Sequence, residues 1–377
     1  HAAAGGRSGA APYGDPLQPV QPGSGGGVEY SVRGDPVQPC QAKGHGGGVI
    51  SIDAAGVATV DGTIKADGIN GTYSCGGGAG GSILLNCRAI LGKGRIASDG
   101  GKGATTGCGG GSGGRIAIYY DAEVQATYPV PLLVISSGTN PSDSSRTLDS
   151  QYNSRVGSVV VPDYYFLTSP IRHCGSWHST SDIEVQAYES LIVTNAWLHF
   201  DQEGLQLVVT NDLEVKNNGR LEWTGATVEC GSLLLDNYGI VTMDDGGAVT
   251  VGTDVVLGNE SFLKVTAAPT NGLPYGALVT VGDTLDISGK SWLYPVSNPT
   301  NGGSVKIACR DAIIGVNSGI NADGAGFGFV DSKAYGPGAA KSWGGAGYGG
   351  VGGLYPGSGG GTYGSSNDVP LSCGSAA

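Results

Sequence analysis

Apolar residues in the centre of the chain recur in pairs two positions apart, and the pairs themselves recur. With Ile183, Leu213, Leu233, Val255 and Leu285 aligned as position zero, position +2 reads Val185, Val215, Leu235, Leu257 and Ile287. Position +8 reads Leu191, Leu221, Val241, Leu263 and Leu293, and position +10 reads Val193, Trp223, Met243, Val265 and Pro295. Pro295 is the only departure among these 20 positions, whereas a chain that is 39% hydrophobic would place about 8 apolar residues there. Two apolar residues at i and i+2 form one face of a strand, so each repeat predicts two strands.

Between the two strands stand Asn217-Asn-Gly219, Asn237-Tyr-Gly239, Asn259-Glu-Ser261 and Gly289-Lys-Ser291. These residue types accept left-handed backbone or hydrogen-bond their own backbone, as tight turns require. The anchors are spaced 30, 20, 22 and 30 residues apart. Units of that length are too small to bury an apolar face alone and must stack, which predicts an all-β, right-handed parallel β-helix. The same pairing extends outward to Ile50/Ile52, Ile83/Leu85, Ile116/Ile118 and Val305/Ile307, with +8 partners Ala58, Leu91, Val124 and Ile313. A further strand is read from Ile64-Lys-Ala-Asp-Gly68, Ile96-Ala-Ser-Asp-Gly100 and Ile320-Asn-Ala-Asp-Gly324. Four segments follow: glycine-rich N-terminal repeats over 1–126, an irregular excursion over 127–182, regular repeats over 183–324 and a glycine-rich tail over 325–377.

Glycine contributes 71 of the 377 residues. Such composition ordinarily marks a flexible linker, but here it is repetitive and the tail is read as ordered by contacts. Gly14-Asp-Pro-Leu-Gln-Pro19 recurs as Gly34-Asp-Pro-Val-Gln-Pro39, so the Arg33-Gly34-Asp35 tripeptide is read as a by-product of a repeat that has Tyr13 in place of Arg33. Tyr363-Gly-Ser-Ser-Asn-Asp-Val-Pro370 resembles Tyr13-Gly-Asp-Pro16. Matching material at the two ends predicts a head-to-tail contact between copies, the heterologous kind that propagates as a filament.

The net charge of −12 opposes binding to nucleic acid or anionic lipid. No apolar run approaches the roughly 18–20 residues of a membrane-spanning helix, and the chain begins with His1, so it is read as a processed or excised segment. The 8 cysteines include no Cys-x-x-Cys pair, which favours disulfides in an oxidising, extracellular compartment over zinc or redox motifs. Cys75 and Cys108 each precede their anchor, Ile83 or Ile116, by eight residues and are expected to stack and bond. Partners for Cys40, Cys87, Cys174, Cys230, Cys309 and Cys373 stay open. Asn70-Gly-Thr72 and Asn259-Glu-Ser261 are glycosylation sequons, so covalent glycans are expected at Asn70 and Asn259.

Catalytic and metal motifs fail on context. Asp244-Asp245 and Gly44-His45-Gly46 share residue types with polygalacturonase signatures, but they lie 200 residues apart in the wrong order. Gly110-Gly-Ser112-Gly-Gly114 fits a nucleophile-elbow pattern yet leads into a strand, where the elbow requires a helix. His173-Cys174 and His178 do not complete a metal set. The Asp-Gly steps at 67, 99 and 323 lack calcium-binding nonapeptide spacing. No catalytic residue, metal or cofactor is expected.

The segments GGGAGGSILLNCRAILGKGRIASDGGKGATTGCGGGSGGRIAIYY and DGAGFGFVDSKAYGPG, with the Tyr-Gly motifs, resemble a glycine-rich β-helix family of large surface proteins. That family occurs in some bacteria and in stramenopile algae and oomycetes, and includes proteins of the tubular flagellar hairs called mastigonemes. The likeness covers about residues 1–126 and 300–377. It implies an extracellular, glycosylated, structural role without an active site. The expected function is therefore a self-assembling subunit of a filament or surface appendage, ahead of a carbohydrate-binding adhesin and a polysaccharide lyase or hydrolase.

Overall fold

The computed structural model describes residues 11–27, 44–72, 75–104, 108–129, 133–138, 154–270, 275–340, 344–353, 359–364 and 372–376. It is all-β, with long parallel sheets; the one helix among the described residues is the four-residue Ala122–Gln125. The chain divides into two compact units, His1–Ile183 with Ala196–Asp201, and Glu184–Asn195 with Gln202–Ala377.

In the first unit, strands Val49–Asp53, Ser82–Asn86, Arg115–Tyr119, Ser158–Val161, Gly175–Ser179 and Trp197–Phe200 lie side by side, all parallel. Ile50 pairs with Ile83 and Ile83 with Ile116, while Ile52, Leu85 and Ile118 align two residues further on, in the register the sequence pattern predicts. Thr63–Lys65, Arg95–Ala97 and Leu133–Ile135 form a second parallel sheet, placing Ile64, Ile96 and Val134 in one row. A third, two-stranded sheet pairs Ala58 with Ile90, one residue away from the expected Leu91. Val124 lies on the short helix, which Asp121 caps through its side chain, and forms no strand there.

Parts of the segment 127–182, expected as an irregular excursion, contribute strands and core side chains. Ser158–Val161 and Gly175–Ser179 join the main sheet. The chain between them buries Tyr164, Phe166, Leu167 and Ile171. Phe166 packs against Tyr120 and Trp177, and Tyr164 meets Phe200 edge-on. Rings in such arrangements gain beyond their burial.

Glycine-rich segments flank these strands, and their hydrogen bonds explain the composition. Backbone N–H groups from Gly76 to Gly81 donate in rotation to three neighbouring segments. Gly76 and Ala79 bond the carbonyls of Gly27 and Ser24, Gly77 and Gly80 those of Gly109 and Ser112, and Gly78 and Gly81 those of Ile69 and Ala66. A hydrogen-bond period of three belongs to polyproline-II-like backbone, whose polar groups point outward in three directions. A sheet strand, by contrast, bonds in only two. The segments approach so closely that a side chain does not fit: an added Cβ would stand 1.8 Å from the Gly101 carbonyl oxygen at Gly77 and 2.0 Å from the His45 oxygen at Gly78.

The second unit repeats three strands. One sheet stacks Gln206–Lys216, Thr227–Asp236, Gly247–Val251 with Val255–Leu257, Ala277–Val281 with Thr284–Ile287, and Val305–Ala308 with Asp311–Ile314. The other stacks Arg220–Thr224, Ile240–Asp244, Phe262–Thr266, Trp292–Val296 and Gly319–Ile320. Leu213, Leu233, Val255 and Leu285 fall in one buried row, and Leu221, Val241, Leu263 and Leu293 in another.

Two expected registers are corrected. Leu191, not Ile183, pairs with Leu213, and Leu285 is followed by Ala312, not Val305. The cause is a strand that precedes the anchor in each repeat and carries its own apolar pair, such as Val249/Val251 and Val279/Val281. Val305 and Ile307 belong to that strand, opposite Ala277 and Val279. Val185 pairs with Gln206 and is 51% exposed. With three apolar pairs per repeat, one pair alone does not reveal which strand it occupies.

Candidate assembly site

Among the described residues, each unit has strands whose parallel pairing is one-sided. Within the described residues of the first unit, Val49–Asp53, Val57–Thr59 and Thr63–Lys65 each pair on one side only. In the second unit the same holds for Val305–Ala308, Asp311–Ile314 and Gly319–Ile320. Such edges offer unpaired backbone groups to another chain. Apolar side chains accompany them: Val49 and Val57 at the first end, and Ile313, Ile314 and Ile320 at the other, the last three 47–52% exposed. The equivalent strands one repeat inward are largely buried.

Across the outer face of the first unit's main sheet runs the segment 13–24. Arg115 donates to the Tyr13 carbonyl from Nε (3.1 Å) and Nη2 (2.8 Å), the Tyr119 hydroxyl to the Leu17 carbonyl (2.6 Å) and the Ser82 hydroxyl to that of Gln21 (2.6 Å). The segment is closed by Tyr13, whose hydroxyl donates to the Pro22 carbonyl (2.5 Å) and accepts from Ser24 Oγ (3.1 Å). In the second unit Tyr363 repeats this arrangement: its hydroxyl donates to the Cys373 carbonyl and accepts from Ser375 Oγ (2.9 Å). Gly14 and Gly364, which follow the two tyrosines, share φ of +88°. The sequence likeness between the two Tyr-Gly segments thus has a structural counterpart.

The residues weighed for chemistry sit in structural roles. Asp244 accepts from Thr266 Oγ1 at 2.9 Å beside the left-handed Asp245. Ser112 is buried among the glycine segments, and its carbonyl accepts from Gly80. His45 is exposed on such a segment, and its carbonyl accepts from Ile69. His173 is buried, accepts at Nδ1 from the Val134 N–H (3.1 Å) and meets Trp177 edge-on. Burial lowers its pKa to about 4, against the opposing pull of its backbone hydrogen bonds. His178 points away, its Nδ1 bonded to the Asp201 carbonyl (2.9 Å). Among the described residues no group of three or more His, Cys, Asp or Glu is placed to hold a metal ion, and no helix is long and apolar enough to cross a membrane. One contact had no sequence signal: Ser176 Oγ lies 2.8 Å from His199 Nδ1, on neighbouring strands of different repeats.

Cys75 belongs to a disulfide, but Cys108 is not its partner, so the expected pairing is corrected. Equal spacing from Ile83 and Ile116 fixes strand register, yet it says nothing of where each side chain points in the glycine segments. Cys87, Cys174, Cys230, Cys309 and Cys373 are thiols. Burial raises the pKa of Cys174 to about 11 and of Cys230 to about 12. Asn70 is exposed, and its Oδ1 accepts from the Lys102 N–H (2.7 Å); Asn259 is exposed, and its Nδ2 donates to Asp236 (2.6 Å). Cys40 and the Arg33-Gly34-Asp35 tripeptide lie outside the described residues.

No protein-family model, curated protein or solved structure matches the chain.

Proposed function

We propose that the chain is a non-catalytic structural subunit of an extracellular filament or surface appendage, of the kind found in flagellar hairs, that assembles with copies of itself. Its architecture on this reading is a right-handed parallel β-helix with ordered glycine-rich segments, each strand row winding on from one repeat to the next. The observation that carries the reading is a set of strands that, among the described residues, pair on one side only and carry exposed apolar side chains, at the first repeat of one unit and the last repeat of the other. A lone soluble chain normally blunts such edges with charge, proline or a covering segment. Two different edges that satisfy one another give a heterologous contact, which repeats without closing. The sequons at Asn70 and Asn259, both exposed, accord with a glycosylated extracellular product.

Sedimentation velocity over a range of concentrations, followed by negative-stain imaging, tests this. The expected result is fibres with a regular axial repeat, lost when Ile313→Lys and Ile320→Lys are introduced together. Isolated particles at every concentration would overturn it.

A second reading, a carbohydrate-binding adhesin, has one observation behind it. Phe262 and Trp292 are register neighbours, and Tyr294 stands 6.1 Å from Phe262, so three partly exposed rings share one outer face. Glycan-array binding that disappears with Trp292→Ala and Tyr294→Ala would favour it.

A further inference from the structure

Beyond Leu293, every buried position among the described residues is a glycine. The described part of the tail therefore buries no apolar side chain, and its order rests on backbone hydrogen bonds. Gly345, Gly352 and Gly360 donate to the carbonyls of Gly353, Gly360 and Gly345, so three runs of backbone hold one another in a ring. Such bonds contribute little net of the water they replace, and glycine loses more freedom on ordering than any other residue. A segment held this way gains from any covalent link that closes it.

Two phenols meet in this segment. Tyr363 N–H donates to the Tyr348 carbonyl (2.8 Å), so the two residues face each other across neighbouring runs. Their ring centroids are 4.9 Å apart, with the planes inclined at 64°. One ortho edge of Tyr348 lies over Gly364, next to Tyr363: an added Cβ there would stand 3.2 Å from Cε2 and 3.7 Å from Cζ. The Tyr363 hydroxyl is held by the Cys373 carbonyl and Ser375 Oγ, which fixes the second ring. Both rings keep partial exposure. We propose that Tyr348 and Tyr363 form a modification site, at which one-electron oxidation by a peroxidase with hydrogen peroxide joins them as dityrosine. Each phenol gives up one electron and, to solvent, its hydroxyl proton, and the two radicals pair in a Cε–Cε bond. Each ring regains aromaticity as its Cε proton is lost and its oxygen is protonated again. The pair loses two hydrogens in all, and one peroxide is reduced to two waters. The link spans fifteen residues and acts by restricting the freedom of the unfolded segment. It lies within one chain and does not rest on self-assembly.

The test treats the full chain, at high dilution, with peroxidase and hydrogen peroxide. Monomer is isolated, reduced so that no disulfide counts as a link, and digested with chymotrypsin, which cuts at Leu354 between the two tyrosines. Mass spectrometry should find one pair of peptides joined through Tyr348 and Tyr363, lighter than their sum by two hydrogens, with blue dityrosine fluorescence in the same fraction. Tyr348→Phe keeps the ring but not the phenol, and should lose the joined pair. If that substitution loosens the segment, seen as faster hydrogen exchange at the Tyr363 amide, the peptide map of the parent still decides. In linked monomer, exchange at the amides of Gly345, Gly352 and Gly360 should slow roughly tenfold or more. An absence of dityrosine, dityrosine confined to covalent dimers, or a link that joins other tyrosines would each overturn the proposal. Unchanged exchange in linked chains would overturn the stabilising role assigned to it.

Discussion

The side-chain amide of Asn237 donates to Oδ1 of Asn217 at 2.8 Å, twenty residues away in sequence and one repeat away in space. Both residues are left-handed, at φ of 45° and 52°, and each begins a two-residue turn between consecutive strands. The backbone follows the side chains: Asn218 N–H donates to the Asn237 carbonyl, and Tyr238 N–H to that of Asn259. Asparagine serves both needs, because it tolerates the left-handed region and carries a donor and an acceptor on one short side chain. Asn237→Ala should cost roughly 1–2 kcal/mol, and Asn237→Gly less, since glycine keeps the backbone angle while losing the amide. Urea unfolding of the three proteins checks the order; equal losses for alanine and glycine would place the whole effect in the hydrogen bond.

These turns were legible in the sequence because their cause is local. The rows through Leu213 and Leu221 were legible for a related reason: an inward side chain at i and i+2 leaves its mark wherever the strand occurs. The register of Ile183 and Val305 was not, since a third strand with the same apolar signature precedes the anchor, and only pairing partners distinguish the strands. The glycine segments were visible as repeats, but their three-way bonding was not. A backbone without side chains gives no apolar period to read. Of the candidate assembly site, sequence exposed the kinship of Tyr13 and Tyr363; the seat formed by Ser82, Arg115 and Tyr119 required the parallel register to bring their strands together.

His173 makes stability depend on acid. Its folded pKa is about 4 against an ordinary 6.5, so between those values the unfolded chain binds the proton and the folded chain does not. The stability is fully present above about pH 6.5 and drains as pH falls through about 4, by up to roughly 3 kcal/mol on the linkage scale. Thermal midpoints of the parent and His173→Gln, measured from pH 7 to 4, test this. The variant should start lower, having lost the Val134 contact, and should fall less over that interval.

The two sequons differ in what the fold does with them. Asn70 uses its Oδ1, accepting from Lys102 N–H, and Asn259 uses its Nδ2, donating to Asp236. A glycan on Asn259 replaces one hydrogen of the very nitrogen that contacts the neighbouring repeat. Enzymatic deglycosylation of secreted protein should therefore change thermal stability more in the Asn70→Gln variant, which keeps only the Asn259 glycan, than in the Asn259→Gln variant. Intact-mass analysis before and after treatment establishes occupancy at each site.

Glycine itself provides the sharpest contrast. At Gly77 an added methyl group would meet the Gly101 carbonyl oxygen at 1.8 Å, well inside any real contact, and the obstacle is backbone held by its own hydrogen bonds to neighbouring segments. At Gly48, also beside a strand of the first unit, the same methyl meets nothing within 4 Å. Composition cannot separate these two positions, since both lie in Gly-rich runs before a β-strand. Gly77→Ala must push segments apart, costing roughly 3 kcal/mol as overpacking does. Gly48→Ala should be neutral or slightly stabilising, because it only restricts the unfolded chain. Hydrogen exchange adds a local readout: Gly77→Ala should expose the amides of Gly78, Ala79 and Gly80, which bond to three neighbouring segments in rotation, while leaving those of the strand rows through Leu213 protected. Equal effects from the two substitutions would mean that close backbone approach is not what fixes glycine in these segments.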